Sequence, residues 1–335
     1  MRGYEIEHYA SPAMCQVDFE LLKEFENGLN IASPKHSYIP CKVLGYGEIS
    51  TVLQIQDDSM RNLAFKRMSI FDSTEELRKY LELYLEYTRI LEDDLGVCLL
   101  PHGHAAFKNA SGRQIFYIIQ LEVPPASIAN KAIHYLSPAE TKLLIRAILR
   151  ELHKVWEFNL DNQERQIAID GQISNWSIAN FDEDNPRLEE KFTLHYFDTS
   201  TPFLRIQGVE QLNPELFLRA APSFLVWILR LLFLEDVMTR YYDARKVTID
   251  LLANLYKEQR SDLIPDMVAA INDFFSGEAA HLGVKPLQQS EISSYYREDR
   301  IIWSWYLSMR KFDRFLQRII LRREYPYILP EKIKR

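Results

Sequence analysis

The chain has 335 residues, 47% of them hydrophobic and 26% charged, with a formal net charge of −7. This length allows two lobes or two small domains, and the composition is that of an ordinary globular protein. The negative balance argues against nucleic acid as the main partner, because neutralising phosphates needs a basic face.

The N-terminal "MRGYEIEHYASPAM" has no apolar h-region, so no secretory signal is visible. The cysteines, Cys15, Cys41 and Cys98, are far apart and form no CxxC. That argues against a disulfide framework or a structural zinc site and points to a reducing, cytoplasmic setting. "VDFELLKEFENGL" has apolar residues at helical spacing, stopped by Gly28. It belongs to an N-terminal extension, residues 1–37.

From residue 38 the pattern changes. "KVLGYGEISTVLQIQ" reads as strand, turn, strand, and "NLAFKRMSI" as a third strand. "STEELRKYLELYLEYTRILEDDLG" is a helix opened by a capping box of Ser73 and Glu76. "PHGHAAFKNASGRQIFYIIQLEV" gives two more strands about the turn "NASGR". Beyond residue 123 the chain is mainly helical. Ser137 and Glu140 form a second capping box, with Pro138 at the first helical position. Two short strands, in "QISNWSIANF" and "KFTLHYFDTS", follow that helix. "FLVWILRLLFLEDV", from Phe224, is short and interrupted by Arg230, so it reads as a buried helix and not a membrane span. The closing "RKFDRFLQRIILRRE" has a basic and an apolar face. A solvated surface helix is its default reading, and a protein partner of acidic surface or a membrane surface is the alternative.

Several positions carry chemistry. Gly45-x-Gly47-x-x-Ser50-x-Val52 can bring backbone N–H groups close to phosphates, because glycine removes the Cβ; an ordinary hairpin has the same signature. Lys66, fourteen residues after Val52 in an apolar strand, is either an edge residue or a cation aimed at phosphate. In the second case it needs a carboxylate, and the next helix offers Glu82 and Glu86 one turn apart. Asp170 and Asn175 lie five apart, and Asp198 ends a strand. An aspartate can orient a hydroxyl, and amide and carboxylate oxygens are hard ligands for Mg2+. Turn and cap roles explain each of these residues singly. His102 and His104 read as turn residues sooner than as a metal pair. His153 reads as a packed structural histidine, and His195 as a loop hydrogen bonder.

The order of these parts resembles the protein-kinase-like superfamily over roughly residues 38–240, and within it the aminoglycoside and choline phosphotransferases. The resemblance implies an α+β, bilobal fold. A five-stranded antiparallel N-lobe sheet with one helix, residues 38–123, would precede a helical C-lobe, residues 124–335. It implies ATP and Mg2+ as cofactors. Gly45, Tyr46, Gly47, Ser50 and Val52 match the phosphate loop, and Lys66 the lysine on the α/β-phosphates. Glu86 matches that lysine's helix partner, with Glu82 as fallback. Gln120 to Val123 match the linker whose backbone takes adenine, with Leu121 and Val123 lining it. Asp170 matches the catalytic aspartate, and Asn175 and Asp198 the metal ligands.

The departures are Ala168-Ile169 before Asp170, Gln172 in the loop, and Asp198-Thr199-Ser200 in place of Asp-Phe-Gly. No Ala-Pro-Glu segment follows at a convincing place. Arg205 then falls near phosphate. The reading is a phosphotransferase acting on a hydroxyl of a small molecule. The alternatives are a pseudokinase that binds nucleotide as a scaffold or sensor, and an α-rich interaction module in which the motif is coincidence.

Overall fold

The computed structural model describes residues 7–12, 14, 17–47, 49–219, 221–222, 225–226, 238–322 and 325–330. The apolar run from Phe224 falls largely outside them. Six antiparallel strands form one sheet in the order β1-β5-β6-β4-β3-β2. They are β1 (Glu7–Ala10), β2 (Cys41–Tyr46), β3 (Ser50–Ile55), β4 (Leu63–Phe71), β5 (His102–Lys108) and β6 (Gln114–Leu121). The expected count was five. The sixth strand comes from residues 7–10, a segment too short and too polar to announce itself. It docks on the edge at Gly103, where a Cβ would come within 2.3 Å of the Tyr9 carbonyl oxygen.

β4, "LAFKRMSIF", is buried along almost its whole length because both faces of the sheet are covered. Helix α1 (Phe19–Asn27) packs Leu22 and Phe25 on the face that carries Phe65, Tyr117 and Ile119. Fully burying side chains of this size stabilises by about 1.5–3 kcal/mol each. α1 also brings in a buried carboxylate. Glu26 accepts two hydrogen bonds from the Arg67 guanidinium, both 2.7 Å, one from Tyr117 Oη at 2.6 Å and one from Asn109 Nδ2 at 3.1 Å. The C-terminal segment returns to this region: Ile328 joins the α1 cluster, and Ser69 Oγ donates to the Pro326 carbonyl at 3.4 Å.

Helix α2 (Thr74–Arg89) covers the other face, packing Leu77, Tyr80, Leu81 and Tyr84 against Met68, Phe116 and Ile118. Its cap is offset from the expected box. Ser73 Oγ accepts from Glu76 N, but the Glu76 carboxylate accepts from Asp72 N.

The helical lobe contains α3 (Ala129–Ala132), α4 (Pro138–Asp161), α5 (Glu215–Arg219), α6 (Ala244–Lys257), α7 (Ile264–Ser276) and α8 (Gln289–Phe315). The Ser137–Glu140 capping box on α4 is complete. Three small strand pairs lie between the helices. β7 (Arg165–Ala168) pairs with β10 (Phe203–Ile206), which pairs with β11 (Val209–Glu210), while β8 (Trp176–Ile178) pairs with β9 (Leu194–Tyr196). Among the described residues no helix is long and apolar enough to cross a membrane.

Candidate active site

Strand register builds the first part of the site. Gly45 lies opposite Val52, and Val52 opposite Lys66, so the three form one row across β2, β3 and β4. Side chains of one row share a face, so Lys66 points toward the α2 side while Phe65 and Arg67 point toward α1. Among the described residues, within 4 Å of a Cβ placed on Gly45 there is only Val52 Cγ2, at 4.0 Å, so the backbone there is open to close approach. The Gly47 N–H closes the hairpin on the Ser50 carbonyl at 2.9 Å. Ser50 is buried, and Tyr46 is exposed at the hairpin end.

The β8–β9 hairpin builds the second part. Phe197 N donates to the Asn175 carbonyl at 3.1 Å, which sets Asn175 and Asp198 at the same end of the hairpin. Asn175 Nδ2 donates to the Asp170 carbonyl at 3.1 Å, and Gln172 N donates to Asp170 Oδ1 at 3.1 Å. The turn is tight at Gly171, where a Cβ would meet Val247 Cγ1 at 2.7 Å and Leu152 at 3.2 Å.

The two parts meet across 132 residues of sequence. Lys66 Nζ donates to Asp198 Oδ1 at 2.6 Å and to Ser200 Oγ at 3.1 Å, and Ser200 Oγ donates to Asp198 Oδ1 at 2.8 Å. Burial opposes ionisation of Asp198, but the Lys66 ammonium and the Ser200 hydroxyl outweigh it and hold its pKa below the usual carboxylate range. At Asp170 the balance runs the other way. Burial, then the charges of Asp250 and Asp198, push its pKa up to about 8. Asp250 itself accepts a hydrogen bond from Tyr295 Oη at 2.9 Å. Arg240, Tyr241, Lys246 and Val247 complete a narrow cavity around Asp170 and Asp250.

Two expected residues are elsewhere. Glu86 pairs with Arg89 and Arg165, and Glu82 with Arg78, so neither holds Lys66. Glu82 sits two residues from Tyr80 and Tyr84, and Glu86 two from Tyr84, about 200° round the helix from those rings. Arg205 stacks on the Tyr242 ring at 3.9 Å and faces Glu210 at 3.6 Å. In the linker, Gln120 Nε2 donates to the Phe197 carbonyl at 3.0 Å, tying β6 to the residue before Asp198. Leu121 and Val123 are half-buried beside it. His104 is buried on β5, and burial lowers its pKa to about 4.

The tyrosine stripe is what the sequence reading missed. Tyr87 Oη donates to the Ala168 carbonyl at 3.0 Å, two residues before Asp170, and Tyr80 Oη donates to the Ser200 carbonyl at 2.8 Å, two residues after Asp198. α2 thus positions both loops through their backbones. The signal was present as tyrosines at spacings of four and three, one apolar-facing row of the helix.

A family model matches residues 35–315, and it is described as a family of unknown function, DUF6206. The chain belongs to the DUF6206 family. No curated protein matches it. Among solved structures, this DUF6206 chain is similar to WaaP in complex with acyl carrier protein, at 14% identity and a TM-score of 0.34, covering 77% of this chain and 99% of that one. It is similar to the kinase domain of maize sucrose-induced receptor kinase 1 bound to AMP-PNP, at 13% identity and a TM-score of 0.36, covering 79% and 100%. A third is the GDP complex of aminoglycoside 2'-phosphotransferase-IIIa, at 11% identity and a TM-score of 0.31, covering 73% and 95%. At these scores the likeness adds nothing to what the element order shows. That order is α+β: strand, helix, three strands, helix and two strands, then a helical lobe carrying Asp170, Asn175 and Asp198.

Proposed function

We propose that this protein is an ATP- and Mg2+-dependent phosphotransferase acting on a hydroxyl group of a small molecule. The observation that carries the reading is the contact of Lys66 with Asp198, with Asn175 and Asp170 hydrogen-bonded into the same hairpin end. The donor set fits Mg2+. Asp198 is ionised and Asn175 presents an amide whose nitrogen is already engaged, so both offer hard oxygen ligands. When bound, the ion would neutralise charge on the nucleotide phosphates.

The residues of the chain do the rest. Lys66 would leave Asp198 for the α/β-phosphates, and the open backbone at Gly45 would let that hairpin close on them. Leu121 and Val123 flank the adenine. Asp170 orients the acceptor hydroxyl and, in the ionised form that its raised pKa leaves as the minor one at neutral pH, takes its proton as the oxygen attacks the γ-phosphorus; the bond to the β-phosphate oxygen breaks, and ADP leaves. Such a site works by positioning and charge stabilisation.

A second reading has a specific observation in its favour. Among the described residues Lys66 has no carboxylate from α2, and its ion pair is with the metal-ligand candidate itself. That arrangement suits a pseudokinase that binds nucleotide as a sensor. Release of ADP from ATP and Mg2+, screened across hydroxyl compounds, separates the two. A phosphotransferase gives an acceptor-dependent signal that Asp170→Ala abolishes with little loss of ATP binding. A pseudokinase gives nucleotide binding, no acceptor-dependent signal, and a biological activity that Asp170→Ala leaves intact.

A further inference from the structure

A second cluster of ligand-type side chains joins α4 to the turn that follows α7. α4 carries His153 and Glu157 one turn apart, and the turn Ala280–Leu282 that follows α7 brings His281 against them. His281 Nε2 contacts Glu157 Oε1 directly, and His153 Nε2 lies 3.1 Å from the same oxygen. One ligand atom from each of the three residues lies within 4.8 Å of the other two. His153 Nε2 is buried and makes no hydrogen bond, so its approach to Glu157 is close without being aligned. The His153 ring is held edge-on to Phe274, with centroids 5.7 Å apart. Leu152, one residue earlier and about 100° round the helix, faces Gly171.

We propose that His153, Glu157 and His281 form a binding site for a zinc-class divalent cation. Two imidazoles and one carboxylate are the donors such ions select, whereas Mg2+ and Ca2+ prefer oxygen alone. Bonds of about 2.0–2.1 Å in a tetrahedral site put ligand atoms about 3.3 Å apart. The 3.1 Å approach of His153 to Glu157 already matches that spacing, and the closer His281–Glu157 contact has to open. His281 is exposed, so the fourth position is left to water and an ion has a path in from solvent. The bound ion ties α4 to the segment after α7, and it shares no ligand with the cleft at Asp198.

The site is tested on untagged full-length protein stripped with EDTA and titrated with Zn2+ alone at neutral pH by calorimetry, with Co2+ as a visible probe of geometry. The expected result is one equivalent of Zn2+ bound at micromolar affinity or tighter, with tetrahedral Co2+ bands. Both His281→Ala and Glu157→Gln weaken binding by at least about tenfold, the least that even an outer-shell partner is worth. Asp198→Asn leaves that event unchanged, which separates it from ions captured in the cleft. Melting in EDTA shows that the exposed His281→Ala variant still folds. Absence of saturable Zn2+ binding overturns the proposal, as does binding that survives both cluster substitutions or is lost in Asp198→Asn. The three side chains are then only an ion pair.

Discussion

Asp170→Asn should stabilise the nucleotide-free protein while removing transfer. The native carboxyl keeps its proton until about pH 8, against a reference of 3.8. An unfolded chain releases it near the lower value. Between those limits the native state holds the extra proton, so this group's contribution is complete in acid and is lost as pH rises toward 8. At about 1.4 kcal/mol per unit, the upper bound of that loss at pH 7 is ~4 kcal/mol. Water in the cleft and relaxation of Asp250 reduce it, and a loss of about 1–3 kcal/mol is expected. Asparagine has nearly the same shape and cannot ionise, so the variant should lack this slope. The assay is urea denaturation of both proteins in EDTA, from pH 5 to pH 8. Groups outside the cleft titrate alike in both, and the difference isolates Asp170 together with its coupling to Asp250 and Asp198. The variant should gain on the wild type steadily with rising pH and melt a few degrees higher at the alkaline end. A constant difference across the range, or a variant that is less stable at pH 8, would refute the account of a carboxyl held neutral by burial and by Asp250.

Other substitutions probe the frame. Glu26→Gln leaves Arg67 buried without its counter-charge, and breaking such a pair costs about 3–5 kcal/mol; a denaturation midpoint within 1 kcal/mol of wild type would mean α1 is not anchored this way. Glu86→Gln should leave nucleotide affinity unchanged, because Glu86 binds Arg89 and Arg165; a large drop in a binding titration would return it to the role of lysine partner. Tyr80→Phe removes one neutral hydrogen bond to the Ser200 carbonyl, worth about 1 kcal/mol. It should lower turnover more than it lowers the melting point, and the reverse pattern would make Tyr80 a packing residue only.

Much of this architecture is legible in the chain because it is local. Turn residues flanked by apolar strands gave the β2–β3 and β5–β6 hairpins, and Ser137 and Glu140 gave the start of α4, since such signals act within a few residues. What was missed depends on distant partners. Helical spacing shows that Tyr80, Tyr84 and Tyr87 share a face and that Glu82 and Glu86 share another; it does not say which face meets the sheet. That was decided by Phe116, Met68 and Ile118, which accept aromatic rings and would strand a carboxylate. Glu26 reads as one more surface glutamate of α1 until Arg67, forty-one residues on, turns inward to meet it. The same distance hides the partnership of His153 with His281, and the return of Ile328 to the sheet. The lysine and the loop aspartates were legible because strand register and hairpin ends fix them, although only the folded chain brings them into contact.

The measurement that tests the central claim most directly is a thermal-shift titration with ATP and Mg2+, on wild type and on Asp198→Asn. A ligand that binds the native state raises its melting point by mass action, by about 2.7 kcal/mol of stability at a hundredfold excess over Kd. The account predicts a rise that needs Mg2+ and is lost in the variant. No shift at millimolar nucleotide, or an equal shift in both proteins, would contradict a phosphate site built on Lys66 and Asp198.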